Sequence, residues 1–416
     1  MKRKHILCLY FCVIHLSVWA QHNVLKQIIQ ADSFHIKYAQ VLQNPAKYHL
    51  QVMYTQINRD SNNHPHLRRY LLCPETKDYF YPASLVKLPL VAMALEKIDN
   101  LKIKGLTKDT RLAVDSVYEC EKRQYRDTTA ENCYPSIAHY IKKMLLVSDN
   151  YSYNRIYEFL TPAYINKRLR ELGYKRAMIN QRFGGGCDTN DNRVTNSFTF
   201  LSDDSSVVIY KQAKDSNAAS IINCAKKTIV GKGFMQDGKI MPPRDFIRSN
   251  YIPFEDENNI LLSIIFPKCF ESGKRFHLTH EDYQFLYKYM SMLPHESDYP
   301  HYDQKDYKDN FKKYVYFKPT DTIITDTSVR SFNIVGRAYG FISDCAYIVD
   351  VQHHTEFCLS VLIYANKRDI LNISGYQYDE LALPFMSDLG RLIYNYELKR
   401  KKKYPPELKS FEFHYP

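Results

Sequence analysis

Ser84-Leu85-Val86-Lys87 is the first stretch of this chain whose residue types and spacing suit chemistry. Positions three apart on a helix share a face, so the hydroxyl and the amine can come within hydrogen-bonding distance. A serine hydroxyl is a weak nucleophile near neutral pH and needs a base beside it. Lysine serves as that base when burial lowers its pKa, and the flanking residues Ala83, Leu85, Val86, Leu88 and Leu90 are apolar. With Ser84 at the start of the helix, backbone N–H groups and the helix dipole are placed to stabilise an oxyanion. An N-cap serine followed by a surface lysine fits the same four residues. The second group is Ser148-Asp149-Asn150, between two helical stretches. Ser, Asp and Asn are also the preferred helix caps, so it is the combination with the serine–lysine pair that points to acyl transfer.

These groups need elements to hold them. Helical spacing of apolar residues runs over 23–43, a β-rich run over 49–58, and a second strand over 69–73 after the polar turn 58–65. The segment 84–98 (SLVKLPLVAMALEKI) predicts a helix buried on most sides, with Pro89 costing its first turns a hydrogen bond. Helices follow at 137–146, 150–160 and 163–172, and periodicity then lapses from Gly184, Gly185 and Gly186 to about Phe198. An apolar run at 260–266 precedes a Tyr- and Asp-rich stretch over 283–316. Strands at 330–337, 346–351 and 357–364 and a helix at 380–398 complete an α+β layout. The late strands are expected to pair with the early hairpin in one antiparallel sheet, covered by the first and last helices.

Lys2, Arg3 and Lys4, an apolar run from Ile6 to Trp19 and a small residue at Ala20 have the layout of a cleavable secretory signal. Residues 1–20 are therefore expected to be removed, leaving an exported domain over 21–398, in the periplasm or outside the cell, and a basic, polar tail over 399–416. No later segment predicts a transmembrane helix. The formal net charge of +12 includes a block at Lys399, Arg400, Lys401, Lys402 and Lys403. That block suits acidic envelope polymers, or a solvated helix end followed by a tail. Nothing in the chain points to nucleic acid. Oligomeric state cannot be read from it. Cys120 and Cys133 would close a loop short enough for a disulfide. No CxxC pair and no HExxH occurs, and His64, His66, His353 and His354 read as loop and strand residues, so neither a metal nor a cofactor is expected.

The chain resembles the class A β-lactamase and penicillin-binding superfamily, whose signatures are SxxK, SDN and KTG. FYPASLVKLPLVAMALEKI resembles the nucleophile segment, VSDNYSYNRI the SDN segment, and VGRAYGFISDCAYIV the strand after KTG, with Tyr339-Gly340 and Asp344. The resemblance runs in order from about 25 to 398 and is weaker over 205–320, where insertions are expected. It implies an antiparallel sheet flanked by helices, with an all-helical subdomain. It also implies Ser84 as nucleophile, Lys87 as proton acceptor, Ser148 as proton relay, and Asn150 as holder of a substrate amide. Gly336 would belong to the substrate-binding strand, and the N–H groups of Ser84 and of Arg337 or Ala338 to the oxyanion hole.

Two departures accompany the likeness. Ile334-Val335-Gly336 stands where the family has Lys-Thr-Gly, leaving Arg337 either to restore the cation or to be an ordinary strand-end arginine. The stretch 175–200, where class A enzymes carry a deacylating glutamate, holds Asp188 and Asp191 and no glutamate. The expected function is a serine hydrolase acting on a β-lactam, a cell-wall-like peptide or another amide or ester. The alternatives are a penicillin-trapping relative that deacylates slowly and a non-catalytic envelope-binding pseudoenzyme.

Overall fold

The computed structural model describes residues 23–73, 77–116, 121–184, 187, 190–215 and 222–416. The signal-like segment 1–20, Cys120, Gly185, Gly186 and Asp188 lie outside the described residues. Strand β1 (Gln51–Arg59) turns back into β2 (Pro65–Leu71), with Met53 opposite Leu71 and Arg59 opposite Pro65. The late strands β3 (Val329–Ala338), β4 (Phe341–Asp350) and β5 (Thr355–Tyr364) join that hairpin in the order β3-β4-β5-β1-β2, all antiparallel. Every residue of β4 and β5 is buried, so their apolar runs serve two covered faces, as the layered α+β expectation requires.

The expected single helix over 23–43 is instead three short ones, α1 (Val24–Gln30), Phe34–Lys37 and Ala39–Leu42. The break has a local cause: the Asp32 carboxylate accepts the Phe34 N–H at 2.8 Å, offering the backbone an alternative to the helical bond. One face of the sheet packs on α1 and on the last helix, α8 (Leu383–Lys399), through Val52, Val335, Ile342, Phe385 and Leu389. The other face meets a larger helical core. That core comprises α2 (Lys87–Leu101), α3 (Ile137–Val147), α4 (Asn150–Leu160), α5 (Pro162–Glu171), α6 (Phe254–Ile265) and α7 (His280–Ser291).

Pro89 does not impair α2, contrary to the sequence expectation. The α-helix begins at Lys87, after a 3-10 turn at Ala83–Val86, so Pro89 falls in its first turn, where an N–H has no helical acceptor anyway. Cys133 is a free thiol, which overturns the expected Cys120–Cys133 staple; Cys187 is disulfide-bonded. The C-terminal segment is less free than a polar tail. Arg400 Nε and Lys402 Nζ both sit by the buried Glu397, at 2.8 and 3.9 Å, while Leu408 and Phe411 join the helical core. Tyr54 also donates its hydroxyl to Glu397, so part of the basic block neutralises an internal carboxylate rather than facing solvent. No helix of the described residues is long and apolar enough to cross a membrane.

Candidate active site

The 3-10 turn holds Ser84 half-buried at the head of α2, directly after Ala83, whose φ of 46° lies in the left-handed region. One turn on, Lys87 is completely buried. Its Nζ lies 2.9 Å from Ser84 Oγ, 3.0 Å from Ser148 Oγ, 2.5 Å from Ser148 O and 2.7 Å from Asn150 Oδ1. A surface lysine beside a capping serine is thereby excluded. The SDN group arrives by way of a tight helix–helix connection. Ser148 ends α3 in the left-handed conformation (φ 60°), and Asp149 opens α4 by accepting the Ser152 N–H at 2.7 Å. Capping and chemistry are divided within one motif: Asp149 caps, and its two neighbours turn to the lysine.

Desolvation pushes the Lys87 amine well below the usual lysine range, and the nearby Lys312 ammonium pushes the same way, against Asp149. The rings of Phe183 and Tyr153 stand 5.3 and 6.0 Å from Nζ and supply much of the dry surface. Phe183 is fixed from both sides of its peptide: its N–H donates to Asn154 Oδ1 at 2.8 Å, and its C=O accepts Asn154 Nδ2 at 2.9 Å. Around it runs a buried ionic network. Glu158 accepts Arg155 Nη1 at 2.7 Å, Arg182 Nη2 at 2.9 Å and Asn196 Nδ2 at 2.8 Å, and Glu121 accepts Asn154 Nδ2 at 2.6 Å. Sequence reasoning missed Asn154, Arg155, Glu158 and Phe183. The helical spacing 150, 154, 158 was the signal for two of them, since it places Asn154 and Glu158 on the Asn150 face of α4. Asp191 sits in the 3-10 turn Asp191–Arg193, where its carbonyl accepts Arg182 Nη1 at 2.8 Å.

Strand β3 closes the site as the edge of the sheet. A Cβ on Gly336 would stand 2.4 Å from Pro82 O and 3.2 Å from Leu85 Cγ, so only glycine lets β3 pass the Ser84 turn this closely. Ile334 and Val335 are buried and apolar, leaving the Lys-Thr positions without polar groups. Arg337 does not restore the cation. Successive strand residues point to opposite faces, and with Gly336 toward the serine turn, the Arg337 guanidinium lies 5.3 Å from the Tyr378 ring, near Tyr314. Ala338 is half-buried at the end of the strand. A recess of about 730 Å³ lined by Arg59, His64, Phe266, Arg275, Tyr287 and Phe411 lies apart from these groups.

Residues 46–220 match the β-lactamase enzyme family. No curated protein matches the chain. Among solved structures, a β-lactamase from Xanthomonas campestris pv. campestris is 11% identical, with a TM-score of 0.47 over 90% of this chain and 98% of that one. A β-lactamase from Chitinophaga pinensis is 11% identical, with a TM-score of 0.46 over 88% and 99%. The class A β-lactamase of the last common ancestor of Gram-negative bacteria is 15% identical, with a TM-score of 0.47 over 88% and 99%. The segment that matches the β-lactamase enzyme family contains all four of Ser84, Lys87, Ser148 and Asn150.

Proposed function

We propose that this chain forms an acyl-enzyme on Ser84 with a β-lactam or another amide or ester, and that it is exported by way of its N-terminal segment. The observation that carries the reading is the buried Lys87 amine 2.9 Å from the Ser84 hydroxyl. As a free amine, Lys87 takes the Ser84 proton while Oγ attacks the carbonyl carbon. The carbonyl π electrons move to oxygen, and the oxyanion is met by backbone N–H groups. Ala338 pairs with Phe341 across the two-residue turn Tyr339-Gly340, so its N–H is taken up by the ladder. Of the two candidates, Arg337 therefore turns its N–H to the open edge beside Ser84. As the tetrahedral intermediate collapses, Ser148 passes a proton from Lys87 to the leaving nitrogen or oxygen. Asn150, exposed at the rim, holds a substrate amide.

A specific observation favours slow release of the acyl group. The Phe183 ring covers Lys87 on the side of the 175–200 stretch, and among the described residues the groups hydrogen-bonded to Nζ are hydroxyl, carbonyl and amide oxygens, with no carboxylate among them. A pseudoenzyme has no physical reason to keep a buried lysine against a serine, because stripping an amine of water is costly.

Incubation with a fluorescent penicillin and a fluorophosphonate tests the reading. Covalent labelling that disappears in Ser84→Ala and in Lys87→Met is expected, and persistent penicillin labelling marks slow deacylation. Absence of labelling by both probes would overturn it.

A further inference from the structure

A second amine reaches the same centre from a distant part of the chain. Lys312 lies in the segment 306–322, between α7 and β3, and the backbone around it is anchored. The Asp344 carboxylate on β4 accepts the N–H groups of Tyr314 and Val315 at 3.0 Å each. Asn333 on β3 donates Nδ2 to Lys312 O at 2.6 Å and to Asp344 Oδ1 at 2.8 Å. From this mount the Lys312 side chain, 3% exposed, enters the core between the sheet edge and α3. Its Nζ donates to Leu145 O and lies 3.5 Å from Met144 O, in the last turn of that helix. Lys87 Nζ meets the carbonyl of Ser148, which lies three residues beyond Leu145 and caps the same helix.

Two lysines therefore plug the carbonyl end of one helix, where orphan acceptors and the negative end of the dipole favour positive charge. Among the described residues, all their hydrogen-bond partners are neutral oxygens. Burying one amine in such surroundings is costly, and placing two like charges side by side costs more. Packing alone gives no reason for this arrangement, since a methionine would fill the Lys312 space without a charge. The charged groups around the pair are Asp149 at the head of α4, Asp344 on β4, and the adjacent Lys313, followed by Arg330 and Glu296. Lys313 is already taken up by Met290 O, Ser331 O and Asn333 Oδ1.

We propose that Lys312 is a positioning residue of the Ser84 centre: seated on the carbonyl end of α3, its ammonium opposes a positive charge on Lys87 and so presents Lys87 to Ser84 as a free amine. This rests on the reading of Ser84 as nucleophile and Lys87 as its base. Burial pushes Lys312 itself down to about 7, so its influence on Lys87 is greatest below neutral pH and fades above it.

The test is the rate of fluorophosphonate labelling of the full chain from pH 6 to pH 9. Lys312→Met should slow labelling at pH 6 by about tenfold, one pKa unit on Lys87, and converge with the wild type by pH 9. Lys312→Gln, which keeps a donor to Leu145 O without the charge, should behave like the methionine variant if that one fails to fold. Lys312→Arg, which keeps the charge, should retain the pH 6 rate. A rate ratio that stays constant across the pH range, or an arginine variant as slow as the neutral ones, would overturn the role of Lys312 and leave Ser84 chemistry standing. A wild type that does not label at any pH would overturn both.

Discussion

The ring of Phe183 stands 5.3 Å from the amine of Lys87, held there by paired hydrogen bonds between its own peptide groups and Asn154. A carbon face in this position dries the lysine, and an acyl-enzyme of the kind proposed on Ser84 would lack a wet flank on that side. Phe183→Ala should shorten the lifetime of a penicilloyl adduct by about tenfold, equivalent to some 1.4 kcal/mol of barrier. By rehydrating Lys87 it should also raise that amine's pKa, so the rise of acylation rate with pH moves upward. Decay of the fluorescent adduct after removal of free penicillin measures the first effect, and an unchanged lifetime would show that the ring does not obstruct water.

Gly336→Ala should be disproportionately harmful to acylation. The added methyl meets the Pro82 carbonyl at 2.4 Å, and neither partner is a flexible side-chain end. Overpacking of this kind costs about 1–3 kcal/mol of stability. Acylation should fall by about a hundredfold, because β3 must move off the Ser84 turn that its N–H groups serve. A variant that loses stability but labels at the wild-type rate would separate the strand from the chemistry.

Glu158→Gln leaves Arg155 and Arg182 buried without their shared carboxylate. Breaking one partner of such a network costs about 3–5 kcal/mol. Chemical denaturation should show that loss, and the Phe183 stretch should become protease-sensitive ahead of the rest. An unchanged denaturation midpoint would mean that Glu121, 3.8 Å from Arg155 Nη2 and 4.0 Å from Arg182 Nε, suffices for both arginines.

Glu257, on α6 facing Cys345 and Tyr174, is fully buried, and neither of its carboxylate oxygens has a hydrogen-bond partner. Burial first, and Asp256 second, hold its pKa well above 4.5. The folded state therefore keeps a proton that the unfolded chain releases, and stability falls as pH rises above 4.5. Glu257→Met should raise stability at pH 7–8 by about 1–3 kcal/mol and leave it nearly unchanged at pH 4. Denaturation at the two pH values measures this, and a gain of equal size at both would point to packing rather than protonation.

Much of the layout was legible in the chain because its periodicities are local. Helix α4 spans the residues its pattern predicted, Asn150–Leu160, and β3 and β5 lie within a residue or two of theirs. The joining of the late strands to the early hairpin in one antiparallel sheet was expected from the chain, whereas the order of the strands emerged only in the fold. Ser84, Lys87, Ser148 and Asn150 were identifiable as types at fixed spacings, since one turn of helix and one tight helix–helix connection are short-range devices.

What tertiary structure alone decided is where charge and water go. Whether Lys87 is a wet surface amine or a dry base depends on Phe183, Tyr153 and Lys312, the last of which lies 225 positions further on. The face taken by the Arg337 side chain depended on which strand edge packs on the Ser84 turn, a matter settled by the close approach at Gly336. Desolvation and like-charge repulsion are set by everything within a few ångströms, whatever its position in the chain, so residue type and spacing nominate a site while burial determines its protonation.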